Sequence, residues 1–140
     1  MRFERSIEIE AIQQRVWDVV SDVEAWPTRV DTVERIELLT PVPLGLGGKV
    51  RLRQPKLREG EWQVTTWDPP AFFEWVQKPG GMTIIAGHRV DAIADGRARL
   101  TLTIEMRGPL APIFGRMYGG LTKDYLAREC EGMKRAAEAG

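Results

Sequence analysis

Residues 97–106 alternate between polar and apolar side chains almost without a break, and this pattern restricts the fold more than any other feature of the chain. The apolar positions are Ala98, Leu100, Leu102, Ile104 and Met106. A period of two places them on one face of a β-strand. Asp95-Gly96, directly before this segment, is typical of a tight turn between two strands. The pattern therefore predicts an antiparallel hairpin with one face covered and the other in water.

Similar alternating segments, separated by turn residues, extend back to the start of the chain. They lie at residues 3–10, 31–39, 49–53, 61–67, 71–78 and 82–94. Helical spacing appears after the first of them, at Ile12 and Val16, and a second short helix is expected between Ser21 and Trp26. The last segment, residues 110–139, is helical by composition.

This order of elements predicts one α+β domain over residues 1–140. Its sheet is antiparallel, because hairpins join the strands, and it contains about seven strands. The long C-terminal helix is the only predicted element that could cover such a sheet, so the sheet is expected to curve around it. Two short helices follow the first strand. A curved sheet does not close tightly on one helix, and the remaining space predicts a cavity.

Composition excludes several classes of protein. Lys and Arg number 20, as do Asp and Glu, so the net charge of zero argues against a nucleic-acid partner. The longest stretch without a charged residue, Leu38 to Gly48, is too short for a membrane span, which needs about 20 residues, and we expect no stable membrane insertion. Cys130 and His88 are the only residues of their kinds, which excludes an internal disulfide and a Cys/His zinc site. No metal or cofactor is expected, the cytoplasm is the expected location, and the oligomeric state is open.

Three stretches of the sequence resemble the helix-grip, START-like (SRPBCC) superfamily, and in particular its polyketide cyclase/dehydrase-like branch. They are the run from Val16 to Pro27, the tetrad from Gly87 to Val90, and Gly108-Pro109-Leu110 before the last helix. The element order agrees with that superfamily over essentially the whole chain. The resemblance implies a binding cavity for a hydrophobic or aromatic small molecule. It does not imply a reaction, because the superfamily includes cyclases of poly-β-ketone chains, lipid carriers and hormone receptors.

His88 is the candidate for chemistry in such a cavity. It has the same strand parity as Ile84, Ala86 and Val90, so it is expected on the apolar face, which points toward the helix. An imidazole titrates near neutrality and suits general acid/base catalysis. Two other roles stay open. His88 could contact a ligand without catalysis, or it could be a packed polar residue that is bonded to a backbone carbonyl or to Tyr125.

Aromatic residues are expected to line the same cavity, because a flat indole with one N–H donor suits a planar oxygenated ligand. Trp67 has the opposite parity to Trp62 and is predicted to lie outside or at the strand end. Gly119-Gly120 predicts a kink in the long helix, either between two packed pieces or at a hinge that moves the first piece as a lid. The complete predicted lining is Trp26, Trp62, Val64, Phe73, Trp75, His88, Leu102, Met117, Leu121 and Tyr125.

Three functions are compatible with these predictions. The first is binding of a hydrophobic or aromatic small molecule, polyketide-like or lipid-like, between the sheet and the C-terminal helix. The second is a cyclase or dehydratase with His88 as general acid/base. The third is a protein-interaction module, which would show a large exposed apolar patch and little cavity.

Overall fold

Seven strands and one long helix account for most of the chain in the computed structural model, which describes residues 1–139. The strands are β1 Arg2–Ile9, β2 Arg35–Leu38, β3 Lys49–Arg53, β4 Gly60–Asp68, β5 Phe72–Gln77, β6 Thr83–Ala94 and β7 Arg97–Arg107. The helices are α1 Gln13–Ser21, α2 Trp26–Arg29 and α3 Ala111–Glu138, with a short 3-10 turn at Val23–Ala25. The order of strands and helices is the predicted one.

The strands form one antiparallel sheet in the order β1-β7-β6-β5-β4-β3-β2. Each strand from β2 to β6 pairs with the next along the chain, and β1 completes the sheet beside β7. Short turns enforce this order, since each hairpin leaves its two strands adjacent. Gly96 takes a positive φ of 70° in the turn between β6 and β7, which a residue with a side chain rarely adopts. The helix-grip α+β prediction is confirmed.

A β-bulge in β4 moves Trp67 to the inner face of the sheet near the end of that strand, so of its two predicted positions the strand end is the correct one. The pairing with β5 skips Thr65, because Val64 pairs with Trp75 and Thr66 pairs with Glu74. An extra residue in one strand reverses the parity of everything after it. Trp67 therefore lies 5.3 Å from Trp17, between ring centroids, rather than outside.

Helix α3 is continuous through Gly119-Gly120, so its two halves form one helix rather than two separate pieces. Gly119 is buried against Phe3 of β1, where a Cβ atom would meet the ring at 3.4 Å. The missing side chain thus serves close packing of the helix on the sheet. Two apolar side chains in the first half of α3, Ile113 and Met117, are 60% and 68% exposed, so this side of the helix does not pack on the sheet.

The second half of α3 is fixed to both short helices. A Cβ atom at Gly132 would collide with the carbonyl oxygen of Arg29 in α2 and would lie 2.5 Å from a methyl group of Val30. The Arg15 guanidinium, from α1, donates hydrogen bonds to the carbonyl oxygens of Ala136 and Ala137. The backbones of α2 and α3 therefore approach closely at Gly132. Within residues 1–139, no helix is long and apolar enough to cross a membrane.

Candidate ligand-binding cavity

A cavity of about 510 Å³ lies between the inner face of the sheet and helix α3. Strands β3 to β7 supply one wall, α3 supplies the opposite wall, and Trp26 of α2 closes part of the space between them. Half-buried or exposed residues from the loops, such as Leu57, Arg58, Pro79 and Gly80, also reach it. The volume lies within the range of small-molecule sites in proteins, about 300–1,000 Å³.

Three indoles form an aromatic surface in the cavity wall. The ring centroids of Trp26 and Trp75 are 5.3 Å apart, and those of Trp62 and Trp75 are 6.0 Å apart. Strand pairing explains part of this arrangement, because inward residues of adjacent strands lie side by side. The Trp26 Nε1–H donates to the carbonyl oxygen of Val20 at 3.0 Å, which fixes the orientation of that ring. The arrangement offers several apolar faces to a flat ligand.

His88 is buried in the same wall, at 6% exposure, and stacks on Phe73 with 4.0 Å between ring centroids. Its Nδ1 lies 3.2 Å from the carbonyl oxygen of Phe73. A carbonyl oxygen only accepts, so Nδ1 carries the proton and Nε2 keeps a lone pair. Burial lowers the pKa of His88 from 6.5 to about 4, more than the hydrogen bond to Phe73 raises it. At neutral pH the imidazole is therefore an uncharged hydrogen-bond acceptor.

The helical wall presents one face of α3, with Thr122, Tyr125, Leu126 and Glu129 at the cavity. Each of these positions is three or four residues from two of the others, as required for one side of a helix. The Tyr125 hydroxyl donates to the carbonyl oxygen of Pro55, so helix and loop are joined beside the cavity. Burial raises the pKa of the Glu129 carboxyl to about 8. A carboxylic acid that is largely protonated at neutral pH thus lies opposite the sheet.

Sequence reasoning missed Glu129. The available signal was its helical spacing from Tyr125 and Leu126, since a glutamate at that spacing follows the inward face. Two other features of the sequence argued against an inward position for Glu129. Glutamate on a helix is usually solvated, and the residues around Glu129 are charged.

Another polar group, the Gln77 amide, also lines the cavity. A Cβ atom at Gly60 would overlap the Gln77 side chain, so the glycine leaves the space in which that amide lies across β4. Gly60 and Gln77 both lie on the inner face of neighbouring strands. The sequence contained no pattern that pairs these two residues.

The structure brings together six of the residues that the sequence assigned to the cavity. These are Trp26, Trp62, Trp75, His88, Leu102 and Tyr125. Val64 and Phe73 are instead packed behind the wall, 2% and 0% exposed. Met117 points to solvent and Leu121 is half-buried away from the cavity, because the inward face of α3 is rotated relative to the predicted one.

The sequence profile of the family described as "Polyketide cyclase / dehydrase and lipid transport" matches residues 1–138. The chain belongs to this family. Among curated protein sequences, none matches the chain.

Solved structures with this fold include two enzymes and one protein described only by its superfamily. The Zhui aromatase/cyclase from Streptomyces sp. R1128 has a TM-score of 0.70 at 18% identity, over 99% of this chain and 92% of that one. Norcoclaurine synthase from Thalictrum flavum, solved with dopamine and hydroxybenzaldehyde, has a TM-score of 0.76 at 15% identity, over 96% and 84%. A START superfamily protein from Mycobacterium smegmatis has a TM-score of 0.70 at 17% identity, over 94% of both chains. At these identities the likeness shows the fold alone, and the polyketide cyclase/dehydrase and lipid transport family leaves binding and catalysis both open.

Proposed function

We propose that this protein binds a hydrophobic or aromatic small molecule, polyketide-like or lipid-like, in the cavity between the sheet and α3. The observation that carries the proposal is the aromatic wall of Trp26, Trp62 and Trp75 around a space of about 510 Å³. Burial of about 300 Å² of apolar ligand surface contributes roughly 7 kcal/mol before the costs of association, which is enough for micromolar binding.

The charge state of His88 favours binding over catalysis. A general base works best when its pKa is near the working pH, and a pKa of about 4 makes this imidazole a weak base. Its Nε2 can still accept a hydrogen bond from a ligand hydroxyl or amine. Its stacking on Phe73 and its bond to the Phe73 carbonyl fix the direction of that acceptor.

Ligand binding is tested with 1,8-dihydroxyanthraquinone, a flat polyketide-like probe, and with two variants that carry the same substitution. Ile104 lines the cavity, whereas Ile113 is exposed on α3 and does not line it. Ile104→Trp fills the cavity, so we expect it to weaken the affinity for the probe at least tenfold, while Ile113→Trp leaves the affinity unchanged. Calorimetry gives the affinity, and native mass spectrometry gives the expected stoichiometry of one.

Thermal melting of the unliganded variants verifies that both fold. A bound probe also raises the melting temperature. At a free probe concentration of one hundred times the dissociation constant, binding stabilises the folded protein by about 2.7 kcal/mol. Absence of probe binding to the unmodified protein, or equal affinity for the probe in the two tryptophan variants, would show that the cavity is not the binding site.

Cyclase or dehydratase chemistry with His88 as general acid/base is the second candidate, because His88 and Glu129 place two titratable groups in one cavity. A short thioester of a 3,5,7-triketo acid tests it, since aldol condensation of C2 with the C7 ketone closes a six-membered ring, releases one water and lowers the mass accordingly. Under the binding proposal, the protein does not accelerate this loss of water. If the protein accelerates this loss of water and His88→Phe abolishes the acceleration, the result would favour the cyclase or dehydratase function instead.

A further inference from the structure

The carboxyl group of Glu129 faces the cavity without a counter-charge. Glu129 forms no ion pair or hydrogen bond with any residue in the part of the chain that the structure describes, and burial is the sole cause of its raised pKa. The neighbouring glutamate of the same helix, Glu131, is exposed. Glu129 is half-buried, and a carboxyl group that has lost part of its hydration without gaining a partner is costly. Such a cost calls for a partner that arrives with the ligand.

The rest of the cavity offers little to a negatively charged ligand. Among residues 1–139, the only basic side chain in the cavity wall besides His88 is Arg58, which is exposed on the loop between β3 and β4. His88 is uncharged and presents the lone pair of Nε2. Indole faces carry negative electrostatic potential and attract cations that approach within about 6 Å of the ring centroid. The cavity thus combines hydrogen-bond acceptors and aromatic faces with one unpaired acid.

We propose that Glu129 selects ligands that carry an ammonium group, so that the preferred ligand is an aromatic amine. This inference rests on the proposed function, because it assigns the ligand class of the same cavity. The aromatic part of the ligand packs on Trp26, Trp62 and Trp75. Its ammonium group pairs with the Glu129 carboxylate. In ligands whose ammonium group also comes within hydrogen-bond distance of His88 Nε2, it donates a hydrogen bond to that atom.

A second arrangement would keep Glu129 protonated, as a hydrogen-bond donor to a ligand carbonyl or hydroxyl group. The acceptor character of His88 and the three indole faces favour the ammonium, since each interacts better with a cation than with a neutral group. The two arrangements differ in a measurable way. An ammonium group without an anionic partner loses far more affinity on entering an apolar cavity than an alcohol of the same shape does.

The test compares 1-naphthalenemethylamine with 1-naphthalenemethanol, two probes that share ring and length and differ only in the polar group. Binding to the full chain is measured by calorimetry at about pH 8.5, where most of the Glu129 carboxyl has lost its proton and most of the amine keeps its own. We expect the amine to bind at least tenfold tighter than the alcohol. Glu129→Gln is expected to weaken the amine at least tenfold and to abolish its advantage over the alcohol. Glu131→Gln, on the exposed side of α3, is expected to change neither.

The outcomes separate this inference from the proposed function. If both probes bind and the alcohol binds as tightly as the amine or tighter, the amine preference is refuted while the cavity remains a binding site. If the amine preference persists in Glu129→Gln, another group is responsible and the assignment to Glu129 is wrong. If neither probe binds, and 1,8-dihydroxyanthraquinone does not bind either, the proposed function fails together with the inference.

Discussion

Between about pH 6.5 and pH 8, the free energy of unfolding is expected to fall by up to about 2 kcal/mol, and Glu129 is the expected cause. Its carboxyl group has a pKa of about 8 in the folded protein, against an ordinary pKa of 4.5 for glutamate in an unfolded chain. Between these two values the folded state binds more protons than the unfolded state. Stability therefore decreases as the pH rises, by at most about 1.4 kcal/mol per pH unit.

His88 has the opposite effect at lower pH. Its pKa is about 4 in the folded protein, against an ordinary pKa of 6.5 for histidine in an unfolded chain, so the unfolded state binds more protons between these values. Stability then increases as the pH rises. From about pH 4.5 to pH 6.5 the slopes of His88 and Glu129 cancel, and the free energy of unfolding is expected to be nearly constant.

Urea unfolding at a series of pH values, with Glu129→Gln beside the unmodified protein, measures these slopes. The variant is expected to lose the decrease above pH 6.5 and to reveal the increase below it, because only His88 then titrates. Glu131→Gln, which removes an exposed carboxyl of the same helix, should behave as the unmodified protein does. A parallel decrease in Glu129→Gln between pH 6.5 and pH 8 would contradict the assignment.

Gly132→Ala is the second substitution with a large expected effect on stability. In most helix interiors this change stabilises, because glycine is about 1 kcal/mol less favourable than alanine. Here the new methyl group would collide with the carbonyl oxygen of Arg29 and would press on Val30. The obstacle is backbone and cannot rotate away, so α2 and α3 must separate. We expect a loss of about 1–3 kcal/mol in the free energy of unfolding.

Gly120→Ala is the matched control, because it lies in the same helix with no atom within 4 Å of the added Cβ. We expect it to stabilise the protein by about 0.5–1 kcal/mol. Urea titration of both variants gives the two differences. A stabilising effect of Gly132→Ala would mean that the helices do not approach as closely as described.

Most of the fold was predictable because hairpins and alternation are local signals. Asp95-Gly96 and the alternation of residues 97–106 fix β6 and β7, and strand parity placed His88 and Trp75 on the inner face. The bulge at Thr65 was not predictable, since a single inserted residue leaves no mark on composition and reverses the orientation of Trp67.

The helical wall was predicted less well, for a tertiary reason. The sequence placed large apolar residues inward, and Met117 among them, but α3 packs its first half through small residues such as Gly115 and Gly119. Close approach of helix and sheet requires small side chains, which a hydrophobicity pattern scores poorly. The same rotation of the helix brings Glu129 to the cavity, and so the most distinctive polar group of the site was missed.

The two groups of tryptophans give the protein a built-in optical reporter. Trp17 and Trp67 pack against each other and against Phe73 in the core, whereas Trp26, Trp62 and Trp75 line the cavity. A ligand in the cavity would contact the indoles of the second group directly, so we expect its binding to change their emission. Occupancy can be followed by intrinsic fluorescence, without a label.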